Sequence, residues 1–261
     1  MKPVQFREIL SASKGTYYGD AALLETCPAE IVIDSRVATP GSLYIPVVGE
    51  RFDGHDFIDD ARKKGCALVL SAKPLEHEPY ILVDDTLRAL HRIASWYRDL
   101  FPIPVVGLTG SVGKTSTKEM IASVLSAHYN VMKTIGNKNN ETGVPQTLFT
   151  LDESHEVAVV EMGTNHFGEI DRLSAMAKPQ ICVFTTIGVA HIENFGSREG
   201  ILKGKTEMLA HLQPGGTVIV NGDDDMLATV PGAMRFGFSE GCDLRATEIE
   251  DQGLDGVSFT A

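Results

Sequence analysis

Short apolar runs bounded by turn-forming residues alternate along this chain with longer stretches whose apolar positions recur three and four residues apart. That is the pattern of strands alternating with helices. N-terminal to Phe101, the segments Glu30–Asp34, Ser42–Val48, Ala67–Leu70 and Tyr80–Val83 predict strands, and Asp56–Lys64 and Thr86–Leu100 predict helices. Leu87, Leu90, Ile93, Ala94 and Tyr97 share one face of the second helix, so that stripe is assigned to the core. Phe101-Pro102-Ile103-Pro104 then marks the clearest boundary, because two prolines cannot continue a helix and leave the next run extended.

Beyond it, Val105–Leu108, Tyr129–Thr134, Val157–Glu161, Ile181–Thr186 and Thr217–Val220 predict strands. Lys114–Ala127, Val144–Phe149, Glu169–Met176, Glu199–His211 and Asp224–Thr229 predict helices. Such alternation reads as a doubly wound, mostly parallel sheet, whose ligands sit outside the carboxyl ends of the strands. The expected fold is therefore α/β: a small N-terminal α/β domain over residues 1–101, then a doubly wound, mostly parallel-sheet domain over 102–261 that carries the glycine-rich P-loop segment. From Glu248 to Ala261 the chain reads as the start of a hairpin around Asp255-Gly256 that ends without a partner strand. The second domain is on that account expected to be incomplete.

Composition narrows the function classes. At 261 residues the chain can bury a sizeable core, and its 23 basic and 35 acidic residues give a net charge of −12. That balance argues against a nucleic-acid or anionic-membrane surface, while leaving room for a local basic cleft. The N-terminus lacks the apolar core of a signal peptide, and no apolar run approaches the ~20 residues of a membrane span. Cys27, Cys66, Cys182 and Cys242 are scattered without a C-x-x-C pair, which predicts free thiols in a reducing cytoplasm.

The stretch from Val105 to Thr117 carries the strongest chemical signal. Apolar strand, glycine-rich turn and Lys-Thr at a helix start make a phosphate cradle, in which freed backbone N–H groups and the helix N-terminus face the anion. Lys114 is placed to reach the terminal phosphates and the Thr115 hydroxyl to ligate Mg²⁺. The spacing departs from G-x-x-x-x-G-K-[ST], since Leu108 stands where the first glycine belongs and the glycines fall at 107, 110 and 113. A nucleoside triphosphate is the predicted ligand.

Other candidates are weaker taken singly. Glu161 ends an apolar strand and offers a hard oxygen for Mg²⁺, although a strand-end Glu is often simply solvated. Thr134 to Pro145 packs amides and glycines into a loop, which suits ligand binding and turn capping equally. His191 follows the strand that ends at Thr185-Thr186, where an imidazole can ligate a metal, but a lone histidine is more often structural. Lys203 and Lys205 lie about 200° apart around a helix, so only one can face the nucleotide, and the spacing does not choose. Asp223-Asp224-Asp225 reads as a helix cap rather than a metal site.

Several of these motifs in order carry a resemblance. Asp34-Ser35-Arg36, Pro40-Gly41-Ser42-Leu43-Tyr44, Asp53-Gly54-His55-Asp56-Phe57, the phosphate loop, Gly136 to Pro145, Glu161 to Ile170 and His191 to Glu207 are similar to the Mur ligases of peptidoglycan synthesis. The resemblance covers nearly the whole chain. The later motifs favour the type that joins D-Ala-D-Ala to UDP-MurNAc-tripeptide.

The resemblance implies roles. Thr109, Gly110, Ser111, Gly113, Lys114, Thr115 and Ser116 would bind ATP, with Lys114 neutralising the β- and γ-phosphates. Thr115 and Glu161 would hold one Mg²⁺ and His191 would help hold a second. Lys205 matches a position that the family carries as a carbamylated lysine, a carboxylate-like ligand; Lys114, His191 and Lys205 are thus the catalytic set. Ser35 and Arg36 would contact the uridine diphosphate, and Asn139 and Asn140 would line the path from substrate to phosphate loop.

The implied reaction is ATP-dependent amide formation: a substrate carboxylate becomes an acyl phosphate, and the D-Ala-D-Ala amine displaces phosphate. The family also has a third, C-terminal domain that helps bind ATP and the amine. Its absence here leads to the expectation of weak binding and little ligase activity by this chain alone. The competing expectations are a non-catalytic module that binds UDP-sugar and nucleotide, or another Mur-type or folylpolyglutamate-synthase-like ligase. A generic P-loop kinase or GTPase fits the glycine spacing poorly.

Overall fold

The computed structural model describes residues 2–49, 52–253 and 256–261. Its backbone divides into two compact units, Met1–Pro102 with Glu141–His155, and Ile103–Asn140 with Glu156–Ala261.

The first unit opens with helix α1 (Phe6–Ser13), which sequence patterning missed because only Phe6 and Ile9 are both apolar and buried. Strands β1 (Thr16–Tyr18), β2 (Ile31–Val32) and β3 (Leu43–Tyr44), helix α2 (Ile58–Lys63), strands β4 (Leu68–Ser71) and β5 (Tyr80–Leu82) and helix α3 (Thr86–Asp99) follow. The sheet runs β1-β5-β4-β3-β2, with β1 antiparallel to β5 and the other neighbours parallel. Two predicted strands are shorter in the structure for local reasons. Asp34 turns its carboxylate onto the Arg36 N–H and starts a 3-10 turn, ending β2 early. Pro46 has no N–H to give a ladder, so the run from Ser42 pairs only over Leu43–Tyr44. In α3 the predicted stripe is core: Leu90, Ile93, Ala94 and Tyr97 are fully buried, with Leu87 half-buried. Asp85 caps the helix by accepting from the Arg88 N–H.

The second unit begins with β6 (Val105–Thr109), α4 (Lys114–Leu125) and β7 (Val131–Lys133). The chain then enters the first unit to form helix α5 (Gly143–Leu148), where the Tyr97 hydroxyl donates to Leu151 O at 2.7 Å and its ring meets Phe149 edge-on. It returns as β8 (Val157–Glu161), α6 (Glu169–Ala177), β9 (Ile181–Phe184), α7 (Ile192–Phe195), α8 (Arg198–Thr206), β10 (Thr217–Asn221), β11 (Met234–Gly237) and β12 (Leu244–Arg245). The order β12-β11-β10-β9-β6-β8-β7 is parallel throughout. Every residue of β6 and β8 is buried, which is why both read as unbroken apolar runs. Val106, Leu108, Ala122, Val159 and Val183 form the core between α4 and the sheet. Strand β11 and the edge strand β12 are too short to leave a periodic signal.

Two expectations change in form. The predicted helix Glu199–His211 is α8 followed by a 3-10 turn at Glu207–His211. The predicted Asp224–Thr229 helix contracts to a 3-10 turn at Leu227–Thr229, with the Asp224 carboxylate accepting from the Met226 and Leu227 N–H groups, a capping role. The terminal hairpin closes on itself, β13 (Thr247–Asp251) pairing antiparallel with β14 (Val257–Thr260), so the expectation of a strand without a partner is corrected; Asp255 lies outside the described residues.

Candidate functional site

Strand β6 lies between β8 and β9, and the chain passes from one to the other across it. This reversal of strand order opens a crevice at the carboxyl ends, and three chain segments meet there. The loop from Gly110 to Gly113 leaves β6 and is stitched to the residues after β9. Ser111 N–H donates to Thr186 O at 2.8 Å, and the Thr185 hydroxyl donates to Val112 O at 2.6 Å. Gly110 sits so close to this seam that a Cβ would collide with the Thr185 hydroxyl. Gly113 caps α4 with φ 81°, a left-handed backbone that a side chain disfavours, and open space lies around it. A loop so shaped presents N–H groups and a helix start to an anion.

Lys114 curls back over this loop, its Nζ donating to Gly110 O at 2.8 Å and Ser111 O at 3.3 Å. Burial pushes its pKa down, while the charge of Glu161 pulls it back up. Thr115 Oγ1 donates to Glu161 Oε1 at 3.3 Å, and Asn139 Nδ2 donates to the same oxygen at 2.7 Å. The other oxygen, Oε2, is buried without a hydrogen-bond donor. The Ser111 hydroxyl is buried and unpartnered too. Among the described residues, no group of three or more His, Cys, Asp or Glu side chains is arranged to hold a metal. A hydroxyl, a single buried carboxylate and a phosphate cradle is the donor set that suits Mg²⁺ bound through a nucleotide, because that ion keeps several waters and takes phosphate oxygens.

The structure thus brings Gly110, Ser111, Lys114, Thr115, Asn139 and Glu161 together. Lys205 on α8 joins them by its electrostatics: it is 3% exposed, and its pKa is pushed down to about 8, first by burial and then by the charge of Lys114. Of the two lysines that sequence spacing left undecided, Lys205 is the buried one, while Lys203 lies over the Phe167 ring. His191 is exposed, takes a left-handed backbone at φ 60°, and makes no side-chain hydrogen bond among the described residues. Ser116 is also exposed.

Lys118 escaped the sequence reading altogether. It is fully buried, 3.7 Å from Glu161 Oε2, 3.1 Å from Glu119 Oε1, and it donates to Gly136 O at 3.3 Å. The available signal was its place on α4, three and four residues beyond Thr115 and Lys114 and so on the same face.

In the first unit, a cavity of about 530 Å³ is lined by Ile33, Asp34, Ser35, Arg36, Tyr44, Phe52, Gly54 and Phe57. Ser35 is buried in its wall, whereas the Arg36 guanidinium is solvated and forks onto Asp34, whose carboxyl it holds below its usual range. Tyr44 donates to Gly54 O at 2.8 Å, and burial pushes its hydroxyl up to about 12, so it stays a neutral donor. Aromatic walls with a few polar groups fit a planar ring carrying a polar tail.

Comparison with known proteins gives this geometry a lineage. Residues 108–260 match the family profile described as Mur ligase middle domain, and residues 29–98 match Mur ligase family, catalytic domain. The chain belongs to the Mur ligase family. It is 43% identical to the UDP-N-acetylmuramoyl-tripeptide–D-alanyl-D-alanine ligase of Synechocystis, over 88% of this chain and 53% of that protein. With the enzyme of the same name from Bacillus subtilis it shares 41% identity over 88% of this chain and 51% of the relative. The fold superposes on MurF from Acinetobacter baumannii with a TM-score of 0.91 at 35% identity, covering all of this chain and 60% of that one. MurF from Thermotoga maritima, solved in complex with ADP, gives 0.79 at 32% identity over 88% of this chain and 57% of the other. This chain therefore spans about half the length of the curated relatives it matches. Among the described residues, no helix is long and apolar enough to cross a membrane, and the four cysteines are free.

Proposed function

We propose that this chain supplies the nucleotide-binding and UDP-sugar-binding parts of a cytoplasmic, ATP- and Mg²⁺-dependent ligase that joins D-Ala-D-Ala to UDP-MurNAc-tripeptide in peptidoglycan precursor synthesis. The observation that carries this reading is the buried Glu161 carboxylate. One oxygen meets Thr115, the residue after the loop lysine, and Asn139, and the other is buried with the Lys118 ammonium at 3.7 Å. The names of the 41–43% identical relatives support the substrate pair.

Bound ATP with Mg²⁺ would supply the phosphoryl group that converts the tripeptide carboxylate into an acyl phosphate, open to attack by the D-Ala-D-Ala amine. The chain's own residues position and neutralise, as phosphoryl transfer chiefly requires. Lys114 would exchange its two loop carbonyls for phosphate oxygens, and its partial desolvation strengthens that attraction. Thr115 and Glu161 would hold the metal, Asn139 fixing the carboxylate's rotation. Lys205, buried near the charge of Lys114, has its pKa lowered to about 8, which makes the neutral amine more accessible, and formation of a carbamate from CO₂ needs that neutral form. As a carbamate it would become an oxygen ligand, with His191 completing a second metal position. Ser35 and Arg36 would meet the diphosphate at the cavity of the first unit, and Asn139 with Asn140 the substrate's peptide end.

Calorimetric titration tests this reading on the chain itself. A non-hydrolysable ATP analogue should bind more tightly with Mg²⁺ than without, and Lys114→Met should weaken it. UDP-MurNAc-tripeptide should bind independently and be weakened by Arg36→Ala. Nucleotide affinity indifferent to Lys114→Met would sink the proposal.

A further inference from the structure

A fully buried lysine in a ligand site needs a reason, since lysines are almost never fully buried unless paired. Lys118 satisfies its ammonium with three oxygens from three segments: Glu119 on its own helix, Gly136 on the loop after β7, and Glu161 at the end of β8. None of the motifs that identify the nucleotide site calls for a cation here. The arrangement around Glu161 is asymmetric. Oε1 already receives two hydrogen bonds, from Thr115 and Asn139, whereas Oε2 receives none and has the Lys118 ammonium at 3.7 Å.

The same ammonium also touches the loop that presents Asn139. Lys118 Nζ donates to Gly136 O, Asn139 N–H donates to Asn137 O, and Gly163 N–H donates to Asn139 O at 2.8 Å. One buried cation thus braces both the carboxylate and the amide that orients it. Glu119 extends the brace outward through an ion pair with Lys133 at the end of β7.

We propose that Lys118 is a positioning residue for the metal carboxylate: it holds Glu161 on the Oε2 side, so that Oε1, beside the Thr115 hydroxyl, is the oxygen offered to a divalent cation, and it seats the 136–140 loop that delivers Asn139. This rests on Glu161 being a Mg²⁺ ligand, as proposed above. Outer partners that orient a ligating group typically change metal affinity about 10–100-fold when removed. Lys118 touches no position assigned to the nucleotide, so its influence is carried by Glu161 and the loop.

The test separates metal-dependent from metal-independent binding. A non-hydrolysable ATP analogue is titrated into the chain with Mg²⁺ and again in EDTA, for wild type, Lys118→Met, Glu161→Gln and the double variant. Expected for Lys118→Met is about a tenfold loss of the Mg²⁺-dependent gain in affinity, with the EDTA affinity held within about twofold. In the Glu161→Gln background Lys118→Met should add nothing further. Lys118→Gln, which keeps a donor for Gly136 O, serves where Lys118→Met does not fold, and should show the same selective loss. Equal losses with and without Mg²⁺, or no loss at all, would overturn the role of Lys118. If wild type gains nothing from Mg²⁺, or Glu161→Gln keeps the gain, the metal reading of Glu161 fails instead.

Discussion

Two lysines of the second unit are buried to nearly the same depth and are chemically opposite. Lys118, with no exposure, has oxygens from three segments around its ammonium. Lys205, 3% exposed, has none among the described residues and stands near a second cation, Lys114. The first is a structural charge, costly to remove. The second is a charge that burial and the neighbouring Lys114 destabilise, which lowers its pKa to about 8. Burial alone does not tell a stabilised charge from a destabilised one; the oxygens around the nitrogen do.

The sharpest way to break this contrast is to erase each charge with methionine, which has nearly the same length. Lys118→Met strands Glu161 in the interior without its cation and should lower unfolding free energy by about 4 kcal/mol in urea titrations. Lys205→Met should move the other way, because it removes a destabilised charge. The sign follows from linkage. A pKa of about 8 in the folded chain against an ordinary 10.5 means that the unfolded chain binds more protons between those values. Wild-type stability should therefore rise with pH across that window, and the penalty is fully present at neutrality. Lys205→Met should gain up to about 3 kcal/mol at pH 7 and lose its advantage towards pH 10, measured in buffer stripped of CO₂ so that the amine stays unmodified. A variant less stable than wild type at pH 7 would mean that Lys205 has a partner after all.

Lys114 sits between these extremes, with two carbonyl acceptors and partial burial. Its replacement by methionine should cost about 1 kcal/mol of stability but about 2 kcal/mol, roughly thirtyfold, of nucleotide affinity. Arg36 is the control at the solvated limit. Its side chain is 86% exposed and among the described residues pairs with Asp34 alone, so Arg36→Ala should leave the urea unfolding midpoint essentially unchanged. A larger change there would show that exposure is the wrong guide to charge in this molecule.

The parts of this fold written in periodicity were legible in the sequence. The α3 stripe, the buried strands β6 and β8 and the alternation of the second unit all follow from where apolar residues fall. The place of the glycine-rich loop between β6 and α4 was legible because such glycine spacing before Lys-Thr has few other uses. What could not be read was whatever depends on tertiary neighbours. Nothing local marks Lys118 as buried, for a lysine in Thr-Lys-Glu on a helix looks solvated until β8 and the 136–140 loop close over it. Spacing left Lys203 and Lys205 equivalent, and only the packing of α8 chose between them. Phe52 joined the cavity wall unannounced, because a loop aromatic has no period to betray it.

The passage of residues 141–155 into the first unit bears on how the protein is made. Synthesis delivers Tyr97 well before Phe149 and Leu151, the ring and carbonyl it packs against and donates to. The N-terminal unit therefore cannot complete its core as it leaves the ribosome; it must wait while β6, α4 and β7 emerge. The usual order, in which the first domain finishes before the next begins, is closed to this chain. Until residues 141–155 arrive, the apolar surface that Phe149 covers stays open in the first unit.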